Sequence, residues 1–132
     1  MQGQTKILII DDDPDLQTAV KKVLESKSYQ VTAALDGDEG LRKVVDERPD
    51  LIILDVVMPG KSGFEVCKEL KTDPKYYFFS RIPVLMLTVY PDDREKMHLS
   101  MREGMMMEAE DYLHKPFDPG ELLSRVEELL RR

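Results

Sequence analysis

The stretch "LIILDVVMPG", residues 51–60, places four aliphatic residues ahead of a single carboxylate, Asp55, and then closes on Pro59 and Gly60. A short apolar run bounded by polar and turn residues reads as a strand buried on both faces. A carboxylate carried into such surroundings is costly unless it is paired. No basic residue adjoins Asp55 in sequence, so its partners have to come from other parts of the chain.

Outward from that strand the chain alternates. "KILII" (6–10) is a first strand, and "DDDPDLQTAVKKVLES" (11–26) gives a helix with Asp13 as cap and Pro14 at its first position. "QVTAA" (30–34) is a second strand. "DGDEGLRKVVDE" (36–47) is a second helix, with Asp36 as cap, Glu39 close to a capping box, and Pro49 stopping it. "SGFEVCKELKTD" (62–73) follows the opening strand as a third helix. "IPVLMLT" (82–88) is a fourth strand, with Pro83 confined to its first residues. The Met97, Met101 and Met105 spacing predicts a fourth helix over 91–107, "DYLH" (111–114) is a fifth strand, and residues 118–132 form a last helix capped by Asp118. Five strands alternating with five helices predict an α/β fold: a doubly wound five-stranded parallel sheet of order 2-1-3-4-5, covered on both faces. The expected organisation is one domain over residues 1–132, with 1–5 flexible.

Composition narrows the function. The net charge of -7 disfavours direct binding to a nucleic-acid backbone. One cysteine, Cys67, permits no internal disulfide and fits a reducing, cytoplasmic setting. The start "MQGQTKILII" lacks the features of a signal peptide, and no apolar run approaches the roughly 18 residues of a spanning helix, so no membrane insertion is expected.

In a parallel sheet, residues just past the carboxyl ends of the strands collect along one edge. Here those are Asp11, Asp12 and Asp13, then Asp55, then Thr88, then His114 and Lys115. The second strand brings nothing unusual, and in the expected order it lies outside the others. Crowded carboxylates repel, and one Lys offsets only part of their charge. A few oxygens with room for water suit Mg²⁺. A carboxylate beside such an ion, a Lys and a hydroxyl is equipped to attack phosphorus.

At these residues the chain resembles the receiver domains of two-component response regulators, chemotaxis regulators among them. The fragments are "ILIIDDD", "LDVVMPGKSG", "VLMLT" and "DYLHKPF", in that order and over essentially the whole length. The resemblance implies that Asp55 is the phosphoacceptor. It also implies that Asp12 ligates Mg²⁺ (or Mn²⁺ in its place) directly, with Asp11 direct or through water and the Val57 backbone carbonyl as a further ligand. Lys115 is implied to contact the phosphoryl group, with a cis bond to Pro116. Thr88 is implied to be the switch hydroxyl and Tyr112 the aromatic that moves with it, while Pro59 and Gly63 match the loop after the acceptor. It implies a histidine kinase or histidine phosphotransfer protein as donor. The face formed by the fourth helix, fifth strand and fifth helix would meet an output domain or target protein, and a phosphorylation-dependent homodimer stays open. The implied role is signalling rather than enzymatic, beyond the domain's own Mg-dependent phosphorylation and dephosphorylation.

Two departures stand out. Thr88 is followed by Val89 and Tyr90 where the family has a small residue, and the segment from Thr88 to Lys115 is lengthened, with "GMMMEAEDYL" in place of a shorter run. Val57 and Tyr90 flank the expected phosphoryl position and should hinder attacking water, which predicts a long-lived phosphoryl state.

Simpler roles fit other residues. Asp13, Asp36 and Asp118 read as helix caps, Cys67 as a small core residue, and the methionine run as packing or a soft contact surface rather than a cofactor box. His98 and His114 read as structural or exposed rather than catalytic, and "YYFF" (76–79) as packed under its own loop in preference to an exposed apolar patch for a partner. A phosphorylation-independent interaction module is the alternative function, weakened by the intact Asp12, Asp55, Thr88 and Lys115. A turnover phosphatase or phosphotransferase is weakened by Val57, which stands where a dehalogenase-like enzyme places its general acid.

Overall fold

The computed structural model describes residues 4–89 and 109–132. Strands β1 (Lys6–Ile10), β2 (Gln30–Ala34), β3 (Leu51–Asp55), β4 (Val84–Val89) and β5 (Asp111–Lys115) form one parallel sheet of order β2-β1-β3-β4-β5. β3 lies at its centre and all its residues are buried. Alternate side chains divide between two cores. Ile52 and Leu54 pack with residues of α2 (Gly37–Glu47) and α3 (Gly63–Thr72) on one face. Leu51 and Ile53 pack with residues of α1 (Pro14–Glu25) and the C-terminal helix (Pro119–Arg131) on the other. A strand covered on both faces has no polar positions to alternate with, which is why "LIIL" is unbroken.

The helix starts follow local chemistry. Asp13 accepts from the Asp15 and Leu16 amides, and Asp118 from that of Glu121. Asp36 accepts from the Glu39 amide, but the Glu39 carboxylate reaches back to the Leu35 amide at 2.8 Å, one residue beyond a capping box. The complete box belongs to α3, where Ser62 and Glu65 bond each other's backbone.

Three details differ from the sequence reading. β4 starts at Val84 rather than Ile82: Pro83 has no amide to donate and supplies only its carbonyl, which accepts from Ile52 at 3.0 Å. "YYFF" is a 3-10 helix (Pro74–Phe79) that splits its aromatics. Tyr76 is buried and Phe79 packs on the core, whereas Tyr77 and Phe78 are 71% and 90% exposed. Gln4 and Thr5, placed in a flexible start, are hydrogen-bonded: the Gln4 amide donates to the Ser28 carbonyl and the Thr5 carbonyl accepts from Gln30. The helix expected over 91–107, with His98 and the whole methionine run, lies outside the described residues, as does Tyr90. Among the described residues no helix is long and apolar enough to cross a membrane.

Candidate functional site

β1 and β3 are adjacent, and the strand order reverses between them, so their carboxyl ends open on the topological switch point where such sheets bind ligands. β1 runs into Asp11 and Asp12, and β3 ends on Asp55. Each offers a carboxylate oxygen, and these oxygens lie within 4.8 Å of one another. Asp11 and Asp55 are buried and Asp12 is exposed. β5 brings Lys115 across the sheet edge. Its Nζ donates to Asp55 Oδ1 at 3.1 Å and to Asp11 Oδ2 at 3.4 Å. The basic partner missing beside Asp55 thus arrives from 60 residues away.

Local structure fixes these groups. The other Asp11 oxygen accepts from the Asp13 amide at 2.9 Å. Gln17, on α1, donates its side-chain amide to the Asp11 and Ala34 carbonyls at 2.9 and 2.7 Å, tying the ends of β1 and β2 beneath the site. Gln17 carried no signal in the sequence, where it read as an ordinary polar helix residue. Gly63 lets α3 start directly against Asp55: a Cβ there would lie 2.2 Å from the Asp55 carbonyl oxygen. The Lys115–Pro116 bond is cis.

The electrostatics follow from three carboxylates facing one cation. Burial, then the Asp11 charge, push Asp55 up to about 6, against the opposing pull of Lys115. Burial likewise raises Asp11, in spite of the Asp13 amide and Lys115. Burial works against the charge on Lys115, but the charges of Asp55 and Asp11 outweigh it and hold its pKa above the ordinary value. The site is short of positive charge. A hard divalent cation fits this donor set: several carboxylate oxygens, one of them on a solvent-exposed residue. Val57, two residues past Asp55, is 43% exposed in the loop that follows, and none of the described residues donates a hydrogen bond to its carbonyl.

Thr88 is fully buried near the end of β4, one register step beyond the Leu87 that pairs with Asp55. Its hydroxyl lies 3.0 Å from Nδ1 of His114. Tyr112 packs against the α2/α3 core. Its phenolic oxygen is buried without a hydrogen-bond partner among the described residues, the Ala109 backbone lying near but outside bonding geometry. Burial, followed by the neighbouring Cys67, pushes the phenol pKa up, so it stays neutral. Cys67 is a buried core residue.

The fold and this edge define a flavodoxin-like α/β domain with an acidic site, bridged by Lys115, at its switch point. Residues 7–127 match the response regulator receiver domain family, and the chain belongs to that family. It is 40% identical over 127 residues to the alkaline phosphatase synthesis transcriptional regulatory protein PhoP of Bacillus subtilis, and 44% identical over 127 to the DNA-binding regulator RpaA of Synechocystis. Both alignments cover 96% of this chain and 49% of the relative, so the chain spans about half the length of these regulators. Among solved structures, a response regulator from Chloroflexus aurantiacus superposes with a TM-score of 0.82 at 35% identity, covering 98% of this chain and all (100%) of that one. Response regulator TrrA of Thermotoga maritima, in complex with Mg²⁺ and beryllofluoride, superposes with a TM-score of 0.79 at 31% identity, covering 96% of this chain and 99% of that one.

Proposed function

We propose that Asp55 is the phosphoacceptor of this receiver domain. The observation that carries the reading is a carboxylate 4% exposed, gathered with two others, and met among the described residues by one lysine at 3.1 Å. Its raised pKa marks an oxygen that is under-neutralised and poorly solvated. Such an oxygen attacks phosphorus. The bond from phosphorus to a histidine nitrogen of the donor, or to acetate oxygen in acetyl phosphate, breaks, and the leaving group keeps the bonding pair. Lys115 follows the transferred group and offsets its charge, and the Thr88 hydroxyl reaches one of its oxygens. Asp12, Asp55, the Val57 carbonyl and Asp11, direct or through water, would hold Mg²⁺ or Mn²⁺, which when bound neutralises charge on the phosphoryl oxygens. The complex of TrrA with Mg²⁺ and beryllofluoride supports that choice.

The phosphoryl donor is a histidine kinase or histidine phosphotransfer protein. The output is a further domain or a target protein that reads the face containing β5 and the C-terminal helix. Transcription control is supported by the named roles of PhoP and RpaA. The net charge of -7 argues that this domain does not itself contact nucleic acid. Incubation with acetyl phosphate and Mg²⁺ is expected to give acid-labile labelling of the wild type and none of Asp55→Asn. Undiminished labelling of that variant would sink the assignment.

A further inference from the structure

We propose that His114 is a positioning residue for the switch: its ring holds the Thr88 hydroxyl in the unphosphorylated domain, and phosphorylation has to win that hydroxyl away. The inference rests on the reading that Thr88 contacts the phosphoryl group on Asp55.

The argument begins with register. Thr88 and His114 are paired residues of β4 and β5, so their side chains leave the sheet on the same face, next to each other. Thr88 is 0% exposed, and a buried hydroxyl has to find a partner within the protein. It finds one at 3.0 Å in Nδ1 of His114. A β-branched side chain has few χ1 wells, so this bond selects where Oγ1 points. If His114 carries its proton on Nε2, Nδ1 accepts the one proton that Thr88 has to give, and that proton is not available to a phosphoryl oxygen. If the proton is on Nδ1, the ring donates and still pins Oγ1 beside β5. In both cases engagement of a phosphoryl group requires the hydroxyl to exchange partners or turn.

The resting state is therefore stabilised by a bond that competes with the active one. A ligand shifts a two-state equilibrium only by its differential affinity, so weakening the resting bond raises the apparent affinity for anything that favours the active state. The other residue expected to move, Tyr112, already has its hydroxyl buried against the α2/α3 core in this state. Among the described residues, the Thr88–His114 bond is then a contact on this face that has to change. The sequence reading takes His114 as structural or exposed rather than catalytic; the residue is exposed, with Nδ1 3.0 Å from the Thr88 hydroxyl.

The test is beryllofluoride with Mg²⁺, a phosphoryl mimic, titrated against the intact chain. His114→Val removes the ring nitrogen and is expected to tighten binding about three- to tenfold, the worth of one neutral hydrogen bond. His114→Asn restores an acceptor near the Nδ1 position and is expected to return the affinity toward wild type. In a Thr88→Ala background, His114→Val should change nothing, because the bond is already absent. The ring ¹⁵N signals of His114 in the wild type should shift when the mimic binds. Unchanged affinity in His114→Val, or an equal change in the Thr88→Ala background, overturns the role of His114. Wild-type protein that does not bind the mimic at all overturns the phosphoacceptor reading instead. Thermal melts of each variant separate a folding defect from either outcome, and a His114→Asn variant that folds but binds like His114→Val also counts against the proposal.

Discussion

The two edges of the sheet carry charge in opposite ways. At the amino-terminal edge Lys6, Asp50, Lys71 and Glu110 each find a partner within the protein. The Lys6 amide donates to Asp50, and the Lys6 ammonium to the Glu47 carbonyl. Lys71 donates to the Ser80 and Ile82 carbonyls at 2.9 and 2.6 Å and pairs with Glu110. Glu110 in turn accepts from the Val84 amide at 2.7 Å. At the carboxyl-terminal edge, Asp11, Asp12 and Asp55 share Lys115, and the two buried carboxyls have raised pKa values. One edge is settled by its own residues. The other is short of positive charge, a deficit that the cation proposed above would meet. Stability and reactivity are thus written at opposite ends of the same strands.

Lys71→Met should give the largest effect. It strips two carbonyls and a carboxylate of a cation whose side chain is 9% exposed, and should cost about 2–3 kcal/mol in denaturant melts, with labelling by acetyl phosphate retained. A similar loss of labelling would erase the contrast between the edges.

Asp55→Asn should move stability the other way. The folded-state pKa of Asp55, about 6, lies above the ordinary 3.8, so the folded protein holds this proton more tightly than the unfolded chain does. Its contribution to stability is therefore greatest below pH 3.8, falls as pH rises toward about 6, and is level above that. Asparagine removes the penalty but deprives Lys115 of a partner. In chelator at pH 7 the variant should be more stable by on the order of 1–2 kcal/mol. The gain should vanish in melts near pH 4. A destabilised variant at pH 7 would mean that the edge is already balanced.

Mg²⁺ should supply what the edge lacks. At ten times its Kd it should stabilise the wild type by about 1.4 kcal/mol. Asp12→Ala should lose that gain while its metal-free melt moves by less than about 0.5 kcal/mol, since Asp12 is exposed. Val57→Asn should act on rate alone. A polar side chain beside the acceptor should admit and orient water, and speed dephosphorylation several-fold, about 1 kcal/mol of barrier. An unchanged rate, followed by loss of label over time, would remove Val57 as a shield.

Much of this was legible in the sequence because it depends on local pattern. Strand positions followed from short apolar runs, helix starts from Asp13, Asp36 and Asp118, and the gathering of Asp11, Asp12, Asp55 and Lys115 from the parallel order of the strands. What depends on pairing between distant elements was not legible. The Thr88–His114 bond needs the register of β4 on β5, and the Gln17 bonds need the rotation of α1 against the sheet. "YYFF" reads as uniformly apolar, but the tight turn of a 3-10 helix points Tyr76 inward and leaves Phe78 outside. Glu39 passed its expected partner because the Leu35 amide stood within reach.

The placement of the strands has a consequence for time scales. β3 has a neighbour on each side, whereas β5 has one and forms a sheet edge. Amide hydrogens of Ile52 to Leu54 should therefore exchange with solvent only through near-global opening, and those of Tyr112 to His114 through smaller, more frequent excursions. On the reading proposed above, the acceptor would ride on the slowest-exchanging strand, and Lys115 and His114 on a faster one. A chemical event at a fixed point would then be reported through a margin expected to open more readily.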